Sequence, residues 1–298
     1  MASWTAPVTR WGTLYQGRIG QWAFVLHRIT GVAVFLFLVL HVLDTAVLRI
    51  SPEAYNQIIG MYHRPIMAIG EAGLVAMVTL HGLNGIRVML IDALPQGGRL
   101  QNVMFYGVVL VFLISMAIFL PVHFRHAFGA VETAAGGAGN NGLLPYGALA
   151  LIVIPALRVP RVGATTGSNR ELIGWVFMRI SGLLLLILVA GHLITNLMMG
   201  SGVRQINFAF VAGKWSSPFW QTWSLLLLLL AIAHGANGVR TVVQDYVPRR
   251  WARFGLFTAL YVLSGIVVIA GVLVIFTLDP CPPGVPFEIL PSFCIPSF

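Results

Sequence analysis

Long apolar runs constrain this chain more than any other feature of its sequence. Of its 298 residues, 58% are hydrophobic and only 9% are charged, whereas about a quarter of the residues of a soluble domain are charged. A run of about 20 apolar residues is long enough to cross a bilayer as a helix. We therefore expect an all-α integral membrane protein, with apolar stretches over residues 22–48, 66–91, 103–122, 142–157, 174–199, 219–243 and 254–278.

The positive net charge of +9 does not indicate a nucleic-acid partner. The arginines stand in twos and threes at the ends of the apolar stretches, as membrane topology requires, and they form no basic stripe with interleaved aromatic residues. The two cysteines, Cys281 and Cys294, both lie in the C-terminal tail. An iron–sulfur cluster held by thiolates needs about four ligands, so this chain is not expected to hold one.

Two histidine-bearing motifs occur twice in the chain. The sequence His-Arg-Ile-Thr-Gly at 27–31 matches Met-Arg-Ile-Ser-Gly at 178–182, and His-Gly-Leu-Asn-Gly-Ile-Arg at 81–87 matches His-Gly-Ala-Asn-Gly-Val-Arg at 234–240. The offsets are 151 and 153 residues, which is the signature of an internal repeat. We predict two direct three-helix repeats, residues 1–126 and 171–298, joined by a linker over 127–170 that contains a short return helix.

The direction of the repeats determines the number of crossings. Twin helices point the same way only if their positions in the order of crossings differ by an even number. We therefore expect seven transmembrane helices, with residues 142–157 as the return helix; six is the alternative. The cytoplasmic loops then contain Arg158, Arg161, Arg170, Arg249, Arg250 and Arg253, in agreement with the positive-inside rule. The outer loops contain four basic residues that disagree with this rule: Arg49, Arg64, Arg204 and Lys214.

This topology places the N-terminus in the cytoplasm and the tail outside the cell membrane. The segment before the first apolar stretch is polar and has no cleavable signal pattern, so we interpret it as a cytoplasmic lead-in. The extracytoplasmic side is oxidising, which would allow a disulfide between Cys281 and Cys294.

Four of the histidines inside apolar stretches form two repeat-related pairs, His41 with His192 and His81 with His234. An ionisable residue inside the membrane is a functional candidate by default, although four core histidines bonded across helices are the alternative. Two imidazoles from facing helices are what the iron of a bis-histidine haem needs. Helix rise places the two pairs at depths roughly 10 Å apart. Zinc fits less well, because it needs three or four ligands at one level.

Arginines near the cytoplasmic ends of both repeats are candidates to bind haem propionates, which need such cations. Positive-inside topology is the alternative explanation for them. The candidates are Arg28, Arg87, Arg179, Arg240 and, as a further partner, His27, which Met178 replaces in the second copy.

The second helix of the second repeat ends with Asp245 and Tyr246. The equivalent helix of the first repeat ends with Asp92 and Ala93. A hydroxyl beside an arginine and a carboxylate at the membrane interface could bind a quinone carbonyl. The alternative is a tyrosine of the aromatic belt.

Together these motifs resemble the cytochrome b anchor subunits of succinate dehydrogenase, respiratory complex II. The segment His27-Arg-Ile-Thr-Gly-Val with the later His81-xxx-Gly-Ile-Arg resembles the larger anchor, and His234-xxx-Gly followed by Asp245-Tyr246-Val247 resembles the smaller one. The resemblance implies both anchors in one polypeptide. It assigns His81 and His234 as proximal haem ligands, His41 and His192 as the distal ligands of two-haem members, and Arg28 and Tyr246 to the proximal quinone site. Phe24 stands where the family has a quinone-binding serine.

The function implied by this resemblance is that of a membrane anchor of succinate:quinone oxidoreductase in the cell inner membrane. It would bind two b-type haems (one haem is the alternative within the family) through histidine–iron bonds. Its partners would be an iron–sulfur subunit, a flavoprotein subunit, quinone and lipid, and it would not act on succinate by itself. Two alternatives remain: a di-haem quinone-reactive cytochrome without dehydrogenase subunits, and a non-redox transporter made of duplicated bundles.

Overall fold

The structure, a computed structural model, describes residues 19–128 and 169–295. Within those ranges the chain forms eight α-helices and no β-strand. In chain order they are α1 Ile19–Ala46, α2 Pro52–Tyr62, α3 Pro65–Ala93, α4 Gly97–Phe128, α5 Asn169–Leu193, α6 Phe208–Trp215, α7 Pro218–Tyr246 and α8 Arg250–Thr277.

Six of these helices, α1, α3, α4, α5, α7 and α8, are long and apolar enough to cross a membrane. Large apolar side chains such as Leu40, Leu113 and Ile269 are exposed on their outer faces, where a bilayer would cover them. The prediction of an all-α integral membrane protein is confirmed. The predicted return helix at 142–157 lies outside the described residues, so the seventh crossing stays a prediction.

The long helices of the two repeats run in the same direction. Arg28, near the start of α1, pairs with Asp245 at the end of α7, and Arg179, near the start of α5, pairs with Asp92 at the end of α3. The starts of α1 and α5 therefore lie at one end of the bundle, which we call the cytoplasmic end from the sequence prediction.

The end of α4 lies at the opposite, outer end of the bundle. Near the last turn of α4, the ring nitrogen Nδ1 of His126 lies 3.4 Å from the carbonyl oxygen of Leu197, just beyond the end of α5. The end of α4 and the start of α5 are thus on opposite sides, which is the arrangement that a return crossing would require.

Each repeat also contains a short outer helix that the apolar pattern did not predict. The side-chain oxygen of Ser51 accepts a bond from the Ala54 N–H at 3.1 Å and begins α2, and Asn207 accepts from the Phe210 N–H at 2.9 Å and begins α6. Such side-chain caps satisfy backbone groups that a helix leaves unpaired at its start. The predicted three-helix unit is therefore three long helices and one short one.

Helix α1 packs in the centre of the bundle and joins the two repeats. Its buried residues Phe35, Val39 and Val42 belong to the same core as Leu228 of α7 and Val267 of α8. Close packing here depends on Gly235 of α7, because a Cβ atom at that position would collide with the ring of Phe35.

The tail after α8 is closed by a disulfide and packs against the outer end of the bundle. Cys281 and Cys294 form a disulfide in this structure, with their Cα atoms 5.5 Å apart, within the usual range for such a bond. Leu290 of the tail is buried against Val274 of α8 and Phe208 of α6.

Candidate functional site

The structure brings together the two histidine pairs that the repeat predicts. The rings of His81 on α3 and His234 on α7 have centres 6.5 Å apart and planes at 86°. The rings of His41 on α1 and His192 on α5 have centres 5.9 Å apart and planes at 80°. Two imidazole nitrogens that each bond one ion at about 2 Å put the ring centres roughly 6 Å apart, so both separations suit an ion bound from two sides.

His81 is held by acceptors on α1. Its Nδ1 lies 3.1 Å from the carbonyl oxygen of His27 and 3.3 Å from Oγ1 of Thr30. A carbonyl oxygen only accepts, so the proton of a neutral His81 ring is on Nδ1 and donates to His27. Nitrogen Nε2 then has a free lone pair, which is the usual state of a metal-binding histidine.

His234 has the same arrangement in the second repeat. Its Nδ1 lies 2.9 Å from Oγ of Ser181, whose hydroxyl donates to the carbonyl oxygen of Phe177 at 2.6 Å. The Ser181 oxygen therefore accepts from the Nδ1–H of His234. Ser181 stands in the second copy where Thr30 stands in the first.

The pair at the outer level has a different environment. The amide nitrogen of Asn196 lies 3.3 Å from Nδ1 of His192 and donates to the carbonyl oxygen of His192 at 2.7 Å. The amide oxygen of Asn196 accepts from Nζ of Lys214 at 3.0 Å. A donor group thus faces Nδ1 of His192, whereas acceptors face Nδ1 in the inner pair.

Asn196 lies in a π-helical turn, Ile194–Met198, that follows α5; such turns occur frequently at functional sites. Lys214 is the only lysine of the chain. It lies between the rings of Phe210 and Trp220, with Nζ 4.6 Å from each ring centre. Burial lowers the pKa of the Lys214 amine to about 8.

At the cytoplasmic end, the predicted quinone-site residues lie together. Arg28 pairs with Asp245, and its guanidinium carbon lies 5.5 Å from the ring centre of Tyr246 and 4.0 Å from that of Phe24. Tyr246 is 62% exposed. The phenol ring and the carboxylate thus both lie close to the guanidinium of Arg28 at this end of the bundle.

The repeat-related position has the charges without the phenol. Arg179 pairs with Asp92, and Trp175 stacks under its guanidinium with 3.3 Å from the ring centre to the guanidinium carbon. Ala93 follows Asp92. Arg28 and Arg179, both predicted as propionate partners, thus each already have a carboxylate partner from the other repeat.

The other two predicted propionate arginines bond to asparagines three residues earlier. Arg240 Nε donates to Asn237 Oδ1 at 3.1 Å. Arg87, only 4% exposed, lies 3.5 Å from Asn84 Oδ1 and donates through Nε to the carbonyl oxygen of Gln101 at 3.3 Å.

A cavity of about 690 Å³ lies beside Arg87 at the cytoplasmic end. The described residues of its lining include Phe24, His27, Asn84 and Gln101, and none of them has a carboxylate. The ring of His27 stacks on that of His81 with centres 4.0 Å apart. Its Nδ1 is buried without a hydrogen-bond partner among the described residues. One cation and an unsatisfied ring nitrogen make this cavity suitable for an anionic group.

Sequence reasoning missed the residues that surround the ligand candidates. Thr30 and Ser181 bond to the inner histidines, and Gly31 and Gly182 follow them. A Cβ on Gly31 would lie 2.8 Å from Cε1 of His81, and a Cβ on Gly182 would lie 3.4 Å from Cε1 of His234. The signal was available, because a hydroxyl residue followed by glycine occupies the same place in both copies.

Comparison with known proteins supports the repeat. The family described as Succinate dehydrogenase/Fumarate reductase transmembrane subunit matches residues 5–120 and again residues 164–277. The Succinate dehydrogenase 2 membrane subunit SdhC of Mycobacterium tuberculosis is 50% identical over 104 residues, which cover 35% of this chain and 76% of that protein.

A Succinate dehydrogenase hydrophobic membrane anchor subunit of Halobacterium salinarum is 29% identical over 110 residues, which cover 37% of this chain and 84% of that protein. Each relative thus aligns over most of its own length with little more than a third of this chain.

Proposed function

On the premise that the chain belongs to the family of succinate dehydrogenase and fumarate reductase transmembrane subunits, we propose that it is a cytochrome b anchor that carries electrons between an iron–sulfur partner subunit and membrane quinone. The succinate dehydrogenase membrane subunits among its relatives support membership in such a complex. The electron path, the haem sites and the quinone site are the proposed parts.

The single observation that carries this proposal is the facing pair His81 and His234. The ring separation of 6.5 Å suits one ion bound from both sides, and the hydrogen bonds to both Nδ1 atoms leave both Nε2 atoms free for iron. A haem b at this position would supply a one-electron carrier near the cytoplasmic end.

His41 and His192 are the proposed ligands of a second haem. Their ring separation of 5.9 Å supports this assignment, and so does their relation by the repeat. The donor amide of Asn196 against His192 makes this the less prepared of the two sites. We propose two haems per chain, with one as the alternative.

The propionates of the inner haem would bind cations near the cytoplasmic end. Three of the proposed partners have no carboxylate partner in the described structure: Arg87, His27 and Arg240. Arg87 and His27 line the cavity that suits an anionic group. Arg28 and Arg179 remain candidates, although each is paired with an aspartate.

Arg28, Asp245 and Tyr246 form the proposed quinone site. The hydroxyl of Tyr246 would donate a hydrogen bond to a quinone carbonyl. Asp245 orients Arg28 by ion pairing, and the guanidinium adds positive charge beside the oxygen that becomes negative on reduction. The exposure of Tyr246 supports access for a lipid-soluble substrate from the membrane interface.

We further propose the domain limits 1–126, 127–170 and 171–298, a cytoplasmic N-terminus, an extracytoplasmic tail and location in the cell inner membrane. Each repeat corresponds to one anchor subunit, so the chain would be two anchors fused in one polypeptide. The iron–sulfur subunit, with the flavoprotein subunit, would bind at the cytoplasmic end beside Tyr246.

The test is purification of the affinity-tagged chain from its own cells in a mild detergent. We expect a flavoprotein and an iron–sulfur subunit to copurify, and succinate to reduce a b-type haem band in that preparation. A haem-containing chain without either partner would indicate the di-haem cytochrome that works alone. A colourless chain would indicate the transporter and contradict the proposal.

A further inference from the structure

We propose that Thr30 and Ser181 are positioning residues that hold the two inner haem ligands, His81 and His234, with Nε2 directed to the iron. This inference rests on the proposed function, because it assumes haem between these histidines. It goes beyond that function by assigning a role to two hydroxyls that would act on the iron only through the histidine rings.

Each of the two hydroxyls donates its proton to a backbone carbonyl of its own helix. Thr30 donates to the carbonyl oxygen of Leu26 at 2.8 Å, and Ser181 donates to that of Phe177 at 2.6 Å. Both bonds run back four residues within a helix, where the carbonyl always lies within reach. Because the single hydroxyl proton is used there, the oxygen can only accept from the histidine.

An acceptor at Nδ1 fixes the imidazole ring. A ring that donates its Nδ1–H to a fixed acceptor is locked in one tautomer and one orientation, and its Nε2 becomes a better electron donor to a metal. His81 has two such acceptors, the His27 carbonyl and Thr30. Within the described part of the chain, His234 has only Ser181. Ser181 should therefore matter more than Thr30.

A glycine follows each hydroxyl residue and lies beside the histidine ring. The following residue is Gly31 in one repeat and Gly182 in the other. A Cβ on Gly31 would crowd the His81 ring at 2.8 Å, whereas a Cβ on Gly182 would come into contact with the His234 ring at 3.4 Å. In the first repeat the hydroxyl and the glycine thus act together, since Gly31 leaves room for the ring and Thr30 accepts its proton.

The outer pair provides an internal comparison. His192 meets the amide nitrogen of Asn196 at Nδ1, and for His41 no side-chain hydroxyl acceptor is among its described ring contacts. The hydroxyl–glycine arrangement is therefore not a general product of helix packing around membrane histidines. It belongs to the inner level in both repeats.

The chain offers its own matched controls, because each repeat contains the other's hydroxyl residue. We would compare Ser181→Ala and Thr30→Val with Ser181→Thr and Thr30→Ser in the purified complex. The readouts are haem affinity and the midpoint potential of the inner haem. Ser181→Ala should lower haem affinity about 10- to 100-fold, as loss of such a supporting bond does in other metal sites, and should make the potential more positive. Thr30→Val should also lower the haem affinity and make the midpoint potential more positive, but by less than Ser181→Ala does.

The proposal is overturned if Ser181→Ala and Ser181→Thr have the same affinity and potential while the wild-type complex contains b-type haem. If Ser181→Ala does not assemble, the difference in potential between Thr30→Val and Thr30→Ser decides: a positive shift supports the proposal, and no shift overturns it. A wild-type complex without a b-type band would instead contradict the proposed function itself.

Discussion

Arg28 of the first repeat pairs with Asp245 of the second, and its twin Arg179 of the second repeat pairs with Asp92 of the first. The two ion pairs are reciprocal, as contacts across a two-fold axis are. Partly exposed pairs of this kind stabilise a fold by only about 0–1 kcal/mol. Their main information is geometric, because they establish that the two repeats run in the same direction.

The two ion pairs differ in the residue after the aspartate, and this difference should decide where quinone reacts. Tyr246→Phe removes a hydroxyl but keeps the ring, so we expect quinone reduction by succinate to fall on the order of tenfold, the effect of one lost hydrogen bond to a developing charge. The assay compares a quinone with a soluble acceptor that accepts electrons from the dehydrogenase subunits directly.

The matched comparison for this site uses the two aspartates. Asp245→Asn should slow quinone reduction by weakening its hold on Arg28, whereas Asp92→Asn should leave the rate near that of wild type, because Ala93 provides no phenol there. Equal effects of the two aspartate variants would rule out a quinone site confined to Tyr246.

The glycines beside the inner histidines give a graded steric prediction. Gly31→Ala places a Cβ 2.8 Å from Cε1 of His81, whereas Gly182→Ala places one 3.4 Å from Cε1 of His234. We expect Gly31→Ala to lose most of the inner haem and Gly182→Ala to keep most of it, as measured by the reduced-minus-oxidised spectrum.

Gly107→Ala on α4 is the control for these variants, since no atom of the described residues lies within 4 Å of its added Cβ. Alanine has a higher helix propensity than glycine by about 1 kcal/mol, so a weakened helix cannot explain haem loss in Gly31→Ala. Full haem retention in Gly31→Ala would show that the His81 ring does not need its close position against Gly31.

Lys214 should titrate well below an ordinary lysine. Burial lowers its pKa from 10.5 to about 8, so the neutral, reactive amine should be half populated near pH 8. Because Lys214 is the only lysine, its modification by an amine reagent can be followed against pH by peptide mass spectrometry. A reaction rate that still rises steeply above pH 10 would contradict the buried position.

The neighbouring amide provides a control for the Lys214 titration. Asn196→Asp puts a carboxylate where the amide oxygen accepts from Nζ. This opposite charge favours the protonated amine, so the half-reaction point should move to higher pH.

The common direction of the repeats predicts which loops share a side of the membrane. In a background with Cys281 and Cys294 replaced by serine, single cysteines introduced as Gln96→Cys and Arg249→Cys should both be blocked by an impermeant thiol reagent in inside-out vesicles. In a separate experiment on the chain that keeps Cys281 and Cys294, these two cysteines should react, after reduction, in right-side-out vesicles only. Opposite sides for the two introduced cysteines would contradict seven crossings.

Much of this architecture follows from the sequence because the repeat carries three-dimensional information. The motif offsets pair His41 with His192 and His81 with His234, and the structure brings both pairs within contact. Asp92 and Asp245 were expected near the ends of the second helix of each repeat, and α3 and α7 end one residue after them.

Other features could not be predicted, since they depend on how helices rotate against each other. Arg179 was expected to bind a propionate, but the packing of the helices places Asp92 of the other repeat beside it. The outer helices α2 and α6 are short and only partly apolar, so no long apolar run indicated them. Thr30 and Ser181 belong to the repeated motifs, but the histidine that each one contacts depends on how the helices pack.

The most direct test of this account is the haem-to-protein ratio of the purified chain, measured in the wild type and in His81→Ala and His41→Ala. The account predicts two b-type haems per chain in the wild type and loss of one in each variant, with the His81→Ala spectrum lacking the inner haem. A wild-type ratio of one that His41→Ala leaves unchanged would limit the chain to the inner haem. A ratio of zero, or a wild-type ratio in His81→Ala, would contradict the central claim that His81 and His234 bind haem.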